Sequence, residues 1–315
     1  MLNSLCTALA VLLFPVPNQS PYHDRYITVN GARLYVADWG GKGPLLLFLP
    51  GFGNGAHIFD QLAPAFTDRF HVAALTPRGF PPSSGPDSGY TIAQLAADVR
   101  VVLDSLGGGR AVLAGHSISG AVITRFGIDY PDRLLAAVYL DAALDFGAAY
   151  QRSHEPRPIR GPPETVDTTA AHYRAWKARY PDWDSVRERD SQMWQIDSAD
   201  VARRQRLVTA LANEVRSTPH PIWLVHAPAL VVCGTGSFER AFGWLTPDSS
   251  RWQLAVTEAR RLVARSRALC ADEAQKIPHG QALMLDAGHY DFLDQRDTVV
   301  NAMRRFLASA TPRSR

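Results

Sequence analysis

An α/β architecture, a mostly parallel sheet of about eight strands flanked by helices, follows from three features of the sequence. Short apolar runs without polar alternation recur along the chain, and segments of helical period lie between them. The 315 residues, 46% hydrophobic and 20% charged, are enough to bury a full core without staples. Apolar runs of this kind mark strands covered on both faces, the condition of a parallel sheet between helices.

The elements follow in order. Arg25 to Val29 and Arg33 to Asp38 flank Asn30-Gly31, a dipeptide that tolerates positive φ at both positions and marks a hairpin. Then come Leu45 to Leu49, Phe70 to Leu75, Ala111 to Ala114, Leu135 to Leu140, Leu230 to Val232 and Ala282 to Leu285. Helical spacing appears in Ile58 to Phe66, Ile92 to Leu106, Ala121 to Tyr130 and about Trp252 to Ala274, and again at Val299, Val300, Met303, Phe306 and Leu307. The alternation breaks after Asp141. Residues 142–228 hold helical patterns, several prolines and Trp176, Trp183, Trp194 and Trp223, but no clear strand. They are expected to form an inserted helical cap on a core made of residues 22–141 and 229–315, with the tryptophans used in packing.

Residues 1–21 form an N-terminal extension whose apolar run, Leu5 to Phe14, is too short to span a bilayer but long enough for the h-region of a signal peptide. No charged side chain precedes Asp24, and no A-x-A site lies between the end of the apolar run and the Pro/Asn/Gln/Ser stretch at Pro15 to Ser20. A secreted or periplasmic location is favoured over a cytoplasmic one, and no integral membrane span is expected. Thirty-three Lys and Arg against 30 Asp and Glu leave a net charge of +3 with no basic block, so a nucleic-acid partner is not expected. The sequence leaves the oligomeric state open. Cys6, Cys233 and Cys270 are too few and too scattered for a metal or redox motif. Cys233 ends an apolar run and reads as a buried free thiol, since pairing with Cys270 requires Cα atoms within about 7 Å.

Chemistry concentrates at two places. In Val112-Leu113-Ala114-Gly115-His116-Ser117-Ile118-Ser119-Gly120 a buried strand enters a helix through a turn that carries a serine. So sharp a turn needs small residues two before and two after the serine, and Gly115 and Ser119 occupy those places. The alternative, a serine that merely caps the helix, fits an isolated serine better than this context. Near the C-terminus, Leu285-Asp286-Ala287-Gly288-His289 follows the last buried run, where an imidazole can take a serine's proton and return it to a leaving group. The other histidines, among them His57, His71, His220, His226 and His279, read as surface or core residues, and His116 as a neighbour of the turn.

On these motifs the chain resembles the α/β-hydrolase superfamily, over about Tyr22 to Leu307, as an esterase- or lipase-like serine hydrolase with a helical cap. The resemblance implies Ser117 as nucleophile and His289 as base. It also implies that Phe48-Leu49-Pro50-Gly51-Phe52-Gly53 is the oxyanion loop, with Pro-Gly where His-Gly is common, so that the backbone amides of Phe52 and Ile118 converge on the oxyanion. The family's elbow has glycine where Ser119 stands. Thr76-Pro77-Arg78-Gly79-Phe80 matches a structural turn of the family.

The acid stays open at this stage. Many members carry it just past the seventh strand, but Gly234 is followed by no carboxylate until Glu239. Asp141, at the end of the sixth strand, occupies a position used by some members, including certain lipases and dehalogenases. Asp141 is the leading choice, ahead of Glu239 and Asp145. No HExxH, Cys/His cluster, strand-borne GxGxxG or phosphate loop supports a metal or nucleotide, so chemistry without cofactors is expected. A serine at the elbow argues against the aspartate-nucleophile dehalogenases and epoxide hydrolases. The expected function is hydrolysis of a small-molecule carboxylic ester through an acyl-enzyme. The alternatives are a lactone, thioester or amide on the same residues, or a non-catalytic small-molecule receptor on the same fold.

Overall fold

The computed structural model describes residues 22–142, 209–236 and 252–311. The N-terminal extension (1–21), most of the expected cap, and Trp176, Trp183 and Trp194 lie outside the described residues. The first strands are β1 (His23–Val29), β2 (Ala32–Gly40), β3 (Leu45–Leu49) and β4 (His71–Thr76). The chain continues through α1 (Ile92–Ser105), β5 (Ala111–His116), α2 (Ser119–Asp129) and β6 (Leu134–Leu140). After these come α3 (209–217), β7 (Ala229–Gly234), α4 (Trp252–Lys276) and β8 (Gly280–Leu285), then a short α5 (Asp291–Asp294) and α6 (Arg296–Ala310).

The eight strands form one sheet in the order β1-β2-β4-β3-β5-β6-β7-β8. β1 and β4 run antiparallel to β2, and every pair from β4 through β8 is parallel. Asn30 and Gly31, with φ of 46° and 77°, make the β1–β2 turn that the dipeptide predicts. The apolar runs of β3 to β7 are buried on both faces, as expected, but that of β8 is only partly buried. Along β3, Leu45, Leu47 and Leu49 enter one core layer with residues of α1, α2 and α4. Leu46 and Phe48 enter the other with Val299, Met303 and Phe306 of α6. Consecutive strands β3 and β4 step one way and β5 returns on the far side of β3. The crevice at the carboxyl ends of β3 and β5 is therefore the reversal point where open α/β sheets bind ligands.

Four expectations change. Ile58 to Phe66 is not one helix but two 3₁₀ turns, Ala56–Phe59 and Ala63–Phe66, because Pro64 has no N–H to continue an α-helical ladder. Cys233 is not a free thiol. It is disulfide-bonded to Cys270 of α4, the Cα atoms being 6.2 Å apart. Packing of α4 against the ends of β7 and β8 supplies a proximity that 37 residues of sequence separation concealed. Trp223, expected to pack, is 53% exposed, because in the turn Ile222–Leu224 it is Ile222 that faces the core. β8 begins at Gly280, two residues before the predicted run, since this edge strand is only partly buried. The Thr76–Phe80 turn has the structural role assigned to it. Arg78 binds both oxygens of Asp98 at 2.6 and 2.7 Å, with both side chains buried. Among the described residues no helix is long and apolar enough to cross a membrane.

Candidate functional site

Three loops meet at the reversal point. β5 ends at His116, and Ser117 turns the chain with a φ of 54°, a left-handed conformation that L-residues hold only when their surroundings impose it. Here the Ser117 amide donates to Leu140 O at 3.2 Å and the Gly120 amide to Ser117 O at 2.9 Å. The need for small neighbours is literal. A Cβ on Gly115 would lie 2.7 Å from Ile123 Cδ1 and 2.9 Å from Ser119 Cβ, and one on Gly120 would lie 1.7 Å from Ala142 O. Ser119 fits where the family has glycine, and its hydroxyl donates to the carbonyl of Pro50 at 2.6 Å. The loop after β3 is thereby pinned to the start of α2. Gly51 of that loop has no room for a Cβ, which would come within 2.5 Å of His116 Nδ1. This brings Phe52 close to the elbow.

Asp141, at the end of β6, also has positive φ, 48°. Its amide donates to Val232 O at 2.8 Å, which anchors the residue across the gap to β7. Its Oδ1 accepts from the Gly234 amide at 3.2 Å and its Oδ2 lies 2.6 Å from His289 Nδ1. His289 Nε2 is in turn 2.9 Å from Ser117 Oγ. A carboxylate only accepts, so Nδ1 carries the proton and the Nε2 lone pair faces the serine hydroxyl. An imidazole held this way can take the hydroxyl's proton while the carboxylate stabilises the resulting imidazolium.

The histidine loop is held from several sides. Gly288 N–H donates to Asp294 Oδ2 at 2.7 Å, and Gly236 N–H donates to Ala287 O at 3.0 Å. His116 Nε2–H donates to the His289 carbonyl at 2.8 Å. Tyr290 reaches across to Asn54 beyond the oxyanion loop, its hydroxyl donating at 3.1 Å. Of these supports the sequence marked only His116, as a neighbour. The others are isolated polar residues whose partners lie up to 236 positions away, and no local pattern singles them out.

One further carboxyl lies behind the site. Asp291 is fully buried two residues past His289. Burial pushes its pKa well above the usual carboxylate range, the charge of Asp141 adds to the rise, and the Phe292 amide offsets part of it.

The structure thus brings Ser117, His289 and Asp141 into one hydrogen-bonded line and sets Phe52 and Ile118 beside it. Glu239 and Asp145, the other acids considered, lie outside the described residues. Among the described residues no group of three or more His, Cys, Asp or Glu is arranged to hold a metal ion.

A family model described as the alpha/beta hydrolase family matches residues 46–302. The chain belongs to the alpha/beta hydrolase family. Within it, the chain is 33% identical over 101 residues to the 2-(acetamidomethylene)succinate hydrolase of Mesorhizobium japonicum, a match covering 32% of this chain and 36% of that protein. It is 34% identical over 107 residues to a fluoroacetate dehalogenase of a Burkholderia species, covering 32% and 35%. These matches span about a third of each relative. In fold, a probable hydrolytic enzyme from Pseudomonas aeruginosa PAO1 superposes with a TM-score of 0.67 at 20% identity, covering 92% of this chain and 95% of that one.

Proposed function

We propose that this alpha/beta hydrolase cleaves a small-molecule carboxylic ester through an acyl-enzyme. The observation that carries the reading is the hydrogen-bonded line from Ser117 Oγ through His289 to Asp141. Ser117 Oγ attacks the ester carbonyl as its proton passes to His289 Nε2, forming a tetrahedral oxyanion. The amides of Phe52 and Ile118 receive the oxyanion, the kind of preorganised donor pair that supplies much of the catalysis in acyl transfer. His289 then gives its proton to the departing alkoxide and the alcohol leaves. Water, deprotonated by His289, attacks the acyl-serine, and collapse of the second tetrahedral intermediate releases the acid and restores the Ser117 hydroxyl. Every step uses only these groups and water.

The serine at the elbow also sets this chain apart from dehalogenation by an aspartate nucleophile. A related acyl substrate on the same residues is a second reading, favoured by the match to a 2-(acetamidomethylene)succinate hydrolase. We propose further that residues 142–228 form a cap over the strand ends, and that the protein works in an oxidising compartment, a reading supported by the Cys233–Cys270 disulfide.

The test is labelling of the purified protein by a fluorophosphonate, together with turnover of p-nitrophenyl esters. Ser117→Ala should abolish labelling and lower ester turnover by on the order of 10⁶, with the melting temperature retained. Ester turnover that survives undiminished in Ser117→Ala refutes the mechanism.

A further inference from the structure

Beside the elbow lies an apolar cavity of about 30 Å³. Phe52 and Gly51 of the oxyanion loop form one wall and Ile118 and Val122 of the elbow and α2 another. Phe80, Leu95, Val99 and Leu211 also line it. Its position relative to the reacting groups follows from the sheet order. Ser117 stands at the end of β5. His289 and Asp141 come from the β6 to β8 side, and the cavity lies on the β3 and β4 side. No residue of the histidine loop lines it.

Acyl transfer gives that placement a chemical meaning. The leaving oxygen must face His289 Nε2, which protonates it. With the oxyanion held at the loop amides, the remaining substituent of the tetrahedral carbon, the acyl chain, is directed away from the histidine. We propose that this cavity is the acyl pocket and that it takes a short, uncharged, apolar acyl group of about two to four carbons. The proposal rests on the ester-hydrolase reading and names the half of the substrate on which selectivity acts.

The chemistry of the walls selects for apolar groups. Among the described lining residues Asp98 is the charged one, and its carboxylate is taken up by Arg78 at 2.6 and 2.7 Å and by Gln94 at 2.9 Å. The Ser119 hydroxyl already donates to Pro50 O at 2.6 Å. Among the described lining residues a carboxylate or hydroxyl on the acyl chain would meet no side chain offering it a hydrogen bond, and it would lose its hydration. The size sets the length. A water needs roughly 10–15 Å³ measured this way, so the space suits two or three groups of methylene size.

The experiment uses the purified full chain and p-nitrophenyl esters from acetate to decanoate, repeated with 4-methylumbelliferyl esters to change the alcohol at constant acyl group. Wild type should have its optimum at propionate or butyrate, with kcat/KM at least about tenfold lower for octanoate, and both alcohol series should give the same profile. Leu95→Ala, which deepens the cavity, should move the optimum to longer chains. Val122→Phe, which fills it, should move the optimum to acetate. Folding of each variant is checked by its melt, and either variant suffices alone. Should the esters be cleaved with an optimum at octanoate or beyond, or with a profile that a folded variant leaves in place, the pocket assignment is wrong and the ester reading stands. Fluorophosphonate labelling without cleavage of any short-chain ester also overturns the pocket. Neither labelling nor cleavage overturns both.

Discussion

Two carboxyl groups near His289 sit in contrasting surroundings, and each yields a measurable consequence. Asp291 is buried and holds its proton to higher pH than an exposed aspartate, chiefly through burial and then through the charge of Asp141, with Asp294 adding a smaller contribution. In the unfolded chain an aspartate ionises near pH 3.9, so folding takes up a proton above that pH. Stability is then intact below about pH 3.9 and is lost as pH rises toward the raised value. Asp291→Asn, neutral throughout, should escape that loss. Thermal melts at pH 4, 5, 6 and 7 should show the variant gaining on wild type as pH rises, and a gap that stays flat or narrows would mean that Asp291 is ionised in the fold. Asp141, by contrast, has hydrogen-bond partners in the Gly234 amide and His289. Asp141→Asn should favour the wrong imidazole tautomer and reduce turnover by roughly 10⁴, as such a change does in a serine protease. Glu239→Gln should leave turnover near wild type. The comparison requires wild-type melting in both variants, and the reverse ranking would move the acid to Glu239.

At the scale of elements, the start of α2 does more than present the nucleophile. Ser119 ties it to Pro50 and so holds the loop that carries Phe52. Ser119→Ala keeps a small side chain but leaves the Pro50 carbonyl without its hydroxyl partner. Loosening an oxyanion donor should cost less than removing it, which is worth about 10²–10³. A fall in kcat of roughly tenfold, with KM for p-nitrophenyl acetate little changed, is expected from steady-state kinetics. An unchanged kcat would show that the loop is held without Ser119. Most elements were legible in the sequence because their causes are local. Buried parallel strands need unbroken apolar runs, the hairpin needs Asn30-Gly31, and the elbow needs small residues around Ser117. The helix expected over Ile58 to Phe66 is two 3₁₀ turns instead, because Pro64 interrupts a stretch whose apolar spacing is helical. Asp141 led the acids in sequence, ahead of Glu239 and Asp145, but its supports are not local: β6 lies beside β7, where the Asp141 amide meets Val232 and its carboxylate meets Gly234. Tyr290 and Asn54 were invisible for the same reason, as each acts through a partner 236 positions away that only the fold brings near.

In the whole molecule one sheet separates two core layers, and the reacting groups hang from the ends of β5, β6 and β8. Their alignment therefore depends on how firmly the β7–β8 side is held to the rest. β8 is a partly exposed edge strand, but α4 packs along β7 and β8 and is bonded covalently to Cys233, next to the Gly234 whose amide binds Asp141. Closing a loop of 37 residues removes enough freedom from the unfolded chain to stabilise the fold by about 4 kcal/mol in the chain-entropy model. Cys270→Ser should thus lower the melting temperature by on the order of 10 °C, and reduction of the wild type should do the same. Because the bridge acts mainly on the unfolded state, the variant should still label at Ser117 when assayed well below its new midpoint. A melt that neither reduction nor Cys270→Ser shifts would show that α4 and the sheet edge are held by packing alone. Loss of labelling at temperatures where the variant remains folded would instead place the bridge's effect on the geometry of Asp141.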